Sequence, residues 1–230
     1  MTNYNLLRTR SAMTTTIAKA RKNQEADLLS GRRSAQKRSN LLAIASELFL
    51  EKGYDGVSLD EIIATVGGSK TTIYSYFKGK EGVFVAAVGA LCDEILAKLL
   101  RIKAVSTPLR EALHAIGHAL LDAVLSPRAV ALERLVHGEA HRFPEVGRIW
   151  FERGPAQTHR LLADFFEERQ RIGEIGSVDP HKIAVLFHDM LTYEIHQQVS
   201  LGIVAKPKRA VLSDKVRSAT DILLNGCKAI

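Results

Sequence analysis

Ser58-Leu59-Asp60-Glu61-Ile62-Ile63-Ala64-Thr65-Val66-Gly67-Gly68-Ser69-Lys70-Thr71-Thr72-Ile73-Tyr74-Ser75-Tyr76-Phe77, residues 58–77, is the stretch on which the fold class turns. Ser58 stands three residues before Glu61, the spacing of a capping box. Leu59, Ile62, Ile63 and Val66 then recur at i, i+3, i+4 and i+7, which is one face of a helix. Gly67-Gly68 ends that helix, and Ser69 can cap a second short one from Lys70 to about Tyr76, with Ile73 and Phe77 as its inward anchors. Two short helices around a glycine turn read as a helix-turn-helix. Lys70, Thr71 and Thr72 face away from the anchors. Lysine can donate to guanine acceptors in a major groove, and threonine offers a hydroxyl and a methyl to a base edge. The same three residues also suit a solvated helix face that touches nothing.

Upstream, an apolar stripe of Leu41, Ile44, Ala45, Leu48 and Phe49 marks a helix from about Ala35 to Lys52, stopped by Gly53. Downstream, Phe84, Val88, Leu91, Ile95 and Leu99 share one stripe of a longer helix that begins near Lys80-Glu81 and joins the two halves of the chain. The six prolines, Pro108, Pro127, Pro144, Pro155, Pro180 and Pro207, punctuate the remainder. They give helical spans of about 108–125, 127–142, 144–172 with a break at Gly154-Pro155, 180–201 and 207–228. No segment alternates as a strand does, so the fold class is all-α: a three-helix helix-turn-helix domain over 34–80, then a helical body over 81–230.

Composition narrows the function classes. At 230 residues and 46% hydrophobic, the chain can bury a full core. It has no apolar run of the roughly 20 residues a membrane span needs, and its first thirty residues lack the apolar region of a secretory signal, so a cytoplasmic protein with no membrane partner is expected. Cys92 and Cys227 have no disulfide or metal-finger spacing and read as free thiols. The net charge of +7 is localised: residues 1–40 hold nine basic residues against Glu25 and Asp27, whereas residues 41–230 hold 23 of each sign. Residues 1–33, rich in Thr, Ser, Asn and basic side chains without sustained period, read as a flexible basic arm. Such an arm is either a footprint for phosphate or a solubilising tail.

Gly53-Tyr54-Asp55-Gly56-Val57-Ser58 through Ile73-Tyr74-Ser75-Tyr76-Phe77-Lys78-Gly79-Lys80-Glu81 resembles the tetracycline-repressor family over about residues 36–85. The resemblance implies that Tyr74, Tyr76 and Lys80 hold the DNA backbone. Ser58 and Ser69, at helix starts, add hydroxyls or amides, and such contacts set register only. Thr71 stands where the family often has glycine or proline, and Tyr76 where histidine is frequent. Asp60 occupies a position from which some members send a basic residue to the groove, so an acid there argues against base contact. Farther on, Leu135-Val136-His137-Gly138-Glu139-Ala140-His141-Arg142-Phe143-Pro144-Glu145, followed by Phe151-Glu152-Arg153-Gly154-Pro155, is similar to the AefR-like subgroup of carboxy-terminal domains. That implies a body which binds a small-molecule effector and forms a homodimer through its last two helices, on double-stranded operator DNA.

Within the body, His118, His137, His141, Trp150, His188 and Tyr193, with His196, are the candidates for lining an effector cavity. Each histidine taken singly suits a core or surface position as well. His137 and His141 stand at the i, i+4 spacing at which two imidazoles share a metal, with Glu194 or His188 able to complete a set. Glu139 projects about 160° from that face, so a metalloprotease motif is not formed. No catalytic residue, metal or cofactor is assigned. Ile183, Phe187, Leu191 and Ile195, then Val211, Val216, Ala219, Ile222 and Leu223, form stripes suited to a partner or to the chain's own core. The expected function is a transcriptional regulator, a repressor released from a palindromic operator by its effector. The alternatives are an architectural DNA-binding protein whose body only dimerises, and a metal-dependent hydrolase built on the His137/His141 pair.

Overall fold

The computed structural model describes residues 34–67, 69–99 and 107–226, with the side chain of Thr72 excepted. The basic arm over 1–33 and Cys227 lie outside the described residues. Ten helices occur among them and no strand: α1 (34–52), α2 (Leu59–Val66), α3 (Lys70–Phe77), α4 (Lys80–Leu99), α5 (Leu109–Val124), α6 (Pro127–Glu139), α7 (Pro144–Arg153), α8 (Pro155–Arg171), α9 (Pro180–Ser200) and α10 (Arg209–Gly226). No single helix among the described residues is long and apolar enough to cross a membrane.

Local chemistry sets the boundaries. Four of the prolines sit in the first turn of α6, α7, α8 and α9, where a missing N–H costs nothing. The expected break at Gly154-Pro155 separates α7 from α8. A β-carbon at Gly154 would stand 2.9 Å from the Trp150 carbonyl oxygen, so the close turn needs glycine. Ser58 caps α2 by accepting from the Glu61 N–H at 3.1 Å. The reciprocal half of the capping box is not made by Glu61, whose carboxylate instead pairs with Lys52 of α1. Gly67, at φ +74°, closes α2 in the left-handed region that a side chain disfavours.

Two apolar clusters hold these helices. The first runs from Phe49 of α1 through Ile62 and Ile73 to Phe84 and Val88 of α4, and it continues into Leu132, Val136 and Val146 of α6 and α7. The second joins α5, α8, α9 and α10 around Leu113, Phe166, Phe187 and Val216. The α9 stripe Ile183, Phe187, Leu191 and Ile195 is therefore absorbed by the chain's own core, as are Val216, Ala219 and Leu223 of α10. Facing outward instead are Leu186 and Tyr193 on α9 and Val211 and Ile222 on α10. A side chain's place on the 3.6-residue period decides which stripe is inside, and α9 carries apolar residues on two faces.

Candidate nucleic-acid interface and body cavity

The presenting surface of α3 is built as the sequence requires. Ile73 and Phe77 are buried, at 1% and 5% exposure, and fix the helix against α1 and α4, leaving Lys70, Thr71, Tyr74 and Ser75 outward. Thr72 lies on this helix, with its side chain outside the described residues. Lys70 Nζ lies 2.9 Å from Asp60 Oδ1, an ion pair between exposed side chains at the α2–α3 corner. Asp60 thus faces a lysine of its own chain. Ser58 spends one lone pair on its cap and keeps its hydroxyl hydrogen. The Tyr76 hydroxyl meets Ser34 Oγ at the start of α1. Lys80 sits half-buried with its ammonium 4.0 Å from the Tyr54 ring centre, a cation–π contact that fixes its stem beside the exit of α3. Between them Lys78 takes φ +62° and Gly79 φ +116°. Two successive left-handed residues turn the chain sharply from α3 into α4.

The body holds a cavity of about 670 Å³ walled by α4, α6, α7, α8 and α9. Of the expected lining residues, His137, Trp150, His188, Tyr193 and His196 reach it, whereas His118 and His141 do not. His118 lies on α5, and its Nδ1 is buried without a hydrogen-bond partner; burial first, then the charge of Arg209, holds its pKa below the ordinary imidazole range. His141 falls in the turn after α6, because that helix ends at Glu139, not at residue 142. The i, i+4 relation to His137 assumed a helix through both residues, so these two imidazoles do not share a helical face. His137 is exposed, packs edge-on to the Trp150 ring at 5.5 Å and has Nδ1 3.9 Å from Glu133.

The cavity's polar groups are concentrated on α6, α8 and α9. Glu133, nearly buried, meets His196 Nε2 at 2.9 Å. Thr192 Oγ1 donates to the His188 carbonyl at 2.9 Å, and His188 Nδ1 lies 3.0 Å from Asp189 Oδ1. His159 of α8, 9% exposed, meets the His188 ring at 4.7 Å between centres, nearly perpendicular. Burial holds both His159 and His188 below the ordinary imidazole range. The neighbouring His188 adds to the effect on His159, whereas the Asp189 hydrogen bond opposes it on His188. On α4, Cys92 contributes a thiol that burial, reinforced by Asp93, pushes up to about 12. Glu133, His159, Asp189 and Thr192 were not among the sequence candidates. For Thr192 a signal existed, since His181, His188, Thr192 and His196 follow one another at helical spacing along α9. For Glu133, His159 and Asp189 none did.

The turn between α6 and α7 joins the head to the cavity wall. Phe143, between α6 and α7, packs 4.4 Å from the Tyr54 ring centre and 6.2 Å from that of Phe84. Beside it Arg142 donates to both carboxylate oxygens of Asp55 at 2.8 and 2.9 Å, and its guanidinium lies over Tyr54 and Phe143. The two helices that this turn connects carry His137 and Trp150 into the cavity wall.

Comparison with known proteins places these features. A family model described as bacterial regulatory proteins, tetR family, matches residues 41–87, and one described as AefR-like transcriptional repressor, C-terminal domain, matches residues 111–226. The HTH-type transcriptional activator FasR of Mycolicibacterium smegmatis is 30% identical over 87 residues, which are 38% of this chain. The match spans only 40% of that relative's length. Among solved structures, a TetR-family regulator from Mesorhizobium loti superimposes with a TM-score of 0.77 at 25% identity, covering 86% of this chain and 99% of its own. The flavonoid-responsive regulator FrrA gives 0.74 at 29% identity, covering 84% and 98%. With the helix-turn-helix at one end and the AefR-like body over half the sequence, the chain belongs to the tetracycline-repressor family of bacterial regulatory proteins.

Proposed function

We propose that this chain is a cytoplasmic transcriptional regulator that binds a palindromic operator as a homodimer and is released from it by a small, largely apolar effector held in the body cavity. The head over 34–80 presents α3 to a major groove, with Lys70 and Thr71 toward base edges, Thr72 assigned to the same role from the sequence alone, and Ser58, Ser69, Tyr74, Tyr76 and Lys80 toward phosphate. Two-fold pairing through the body, 81–230, sets two such heads one helical turn apart, about 34 Å. Leu186, Tyr193, Val211 and Ile222, each at least half exposed on the last two helices, supply an apolar face for that pairing. The arm over 1–33 adds sequence-independent attraction to phosphate.

The observation that carries the effector reading is the turn at Arg142-Phe143. It holds the head through Asp55 and Tyr54, while the helices on either side of it form the cavity wall. A ligand that pushes α6 from α7 therefore acts directly on the seat of the head. The long α4 runs by a second route from Lys80 beside Tyr54 to Ile95 and Leu99 in the wall, about 30 Å of helix. A mostly apolar cavity of this volume with a few fixed polar atoms suits a drug-sized aromatic molecule, and the flavonoid response in FrrA's name makes aromatic phenols the first class to try.

Trp150, the only tryptophan, lies in the wall and reports binding by its fluorescence. An effector that prefers the released conformation a hundredfold weakens operator affinity by about 2.7 kcal/mol, and saturating operator weakens effector binding by the same factor. Phe143→Ala is expected to cut that coupling below about tenfold while leaving effector affinity without DNA nearly unchanged. An effector affinity unmoved by operator in the native chain would leave the body as a dimerisation platform only.

A further inference from the structure

One histidine in the cavity wall is left unsatisfied. His159 Nε2 is buried and has no hydrogen-bond partner, although the residue is 91% buried. Burying such an atom is unfavourable unless a partner arrives. Beside it stand the His188 ring, 4.7 Å away and nearly perpendicular, and the His181 ring at 6.2 Å. One ligating atom each of His159, His188 and Asp189 lies within 4.8 Å of the other two.

We propose that His159, His188 and Asp189 form a binding site for a divalent first-row transition ion of the zinc, cobalt or nickel class, set in the α8–α9 wall of the cavity. Two imidazole nitrogens and one carboxylate suit these borderline ions, whereas calcium and magnesium require oxygen shells. Ligand atoms around a tetrahedral zinc stand about 3.3 Å apart, so the trio must close by at most about 1.5 Å. Asp189 is exposed, and a rotation of its carboxylate supplies much of that movement. Because α8 brings His159 and α9 brings the other two, the ion staples the most extensively packed helix pair of the body. Three protein ligands leave at least one coordination position for water or for an oxygen of a second ligand in the cavity. The site deepens the cavity reading by adding a ligand class, yet it requires neither an operator nor an organic effector.

The test uses the untagged full chain, stripped with a chelator and titrated with Co²⁺ alone, whose visible ligand-field absorption reports coordination by nitrogen and oxygen. One Co²⁺ per chain is expected, displaced by Zn²⁺ and not by excess Mg²⁺. His159→Gln is expected to abolish the absorption and Asp189→Asn to weaken Co²⁺ at least about tenfold, with His141→Gln, exposed and outside the cavity, unchanged. Far-ultraviolet circular dichroism establishes that each variant remains helical, and Asp189→Asn, being exposed, keeps the test valid if His159→Gln fails to fold. Absence of the absorption in the native chain, or its survival in Asp189→Asn at native affinity, overturns the site. Operator binding is measured separately, with and without added Co²⁺: its presence in a chain that takes up no Co²⁺ refutes the metal site alone, and its absence under both conditions in a chain that does take up Co²⁺ refutes the regulatory reading alone.

Discussion

The head surface and the body cavity both present polar side chains, but they hold them differently. On the head, Lys70 and Asp60 pair in the open, at 62% and 73% side-chain exposure. A surface pair of this kind is worth about 0–1 kcal/mol and exchanges readily for a phosphate or a base edge. In the cavity, Glu133 and His196 pair at 13% and 11% exposure, where solvent does not substitute for a missing partner. The head therefore keeps its polar groups adjustable for a large charged partner that brings its own counter-charges. The cavity fixes the Glu133–His196 pair in advance, so a small partner seated against that pair would have to match it. Substitutions on the head should tune affinity and sequence preference by small steps, and substitutions in the cavity should act by selection.

The contrast can be broken first at the apolar cluster shared by the head, α4, α6 and α7. Phe84 is fully buried there and touches Phe49, Tyr54 and Phe143. Phe84→Ala is expected to cost about 3–5 kcal/mol in urea unfolding followed by Trp150 fluorescence. A loss under about 1 kcal/mol would mean that head and cavity wall do not depend on one core. Next in size is Lys70→Ala, expected to cost about 1–3 kcal/mol on operator DNA and much less on random DNA. Equal losses on both, measured by fluorescence anisotropy at one salt concentration, would reduce Lys70 to a phosphate contact. The smallest effect sharpens the comparison. Asp60→Asn releases Lys70 and removes a negative charge from the α2–α3 corner, so affinity for operator and random DNA alike should rise by less than about 1 kcal/mol, and the gain should shrink as salt is added. A fall in operator affinity would instead make Asp60 the residue that orients Lys70.

Legibility in the sequence follows the same division. The helix-turn-helix was readable because its determinants are local: a cap at Ser58, a left-handed glycine at Gly67, and two anchors one turn apart at Ile73 and Phe77. The proline-marked helix starts were readable for the same reason. The cavity is non-local. Glu133 meets His196 across α6 and α9, and His159 meets His188 across α8 and α9, through contacts between residues 29 to 63 positions apart that no periodicity encodes. One expectation failed on backbone geometry: the turn that begins after Glu139 removes His141 from the face of His137. Of the two readings open for the α9 stripe, the chain's own core takes it, and a second apolar face with Leu186 and Tyr193 is left outside. The half-formed capping box is a further case, since its spacing is local but Lys52, nine positions away, takes the Glu61 carboxylate.

Cys92 gives the buried cavity wall a clock. Its side chain is 3% exposed and its thiol is held protonated up to about pH 12, so an alkylating reagent meets it only in those moments when the wall parts. When reclosing outpaces alkylation, the observed rate at neutral pH is the intrinsic thiol rate multiplied by the fraction of time spent open. In a Cys227→Ser background the chain thus carries a natural single-site gauge of local opening. A molecule or ion seated in the cavity slows that gauge by the factor by which it stabilises the closed wall.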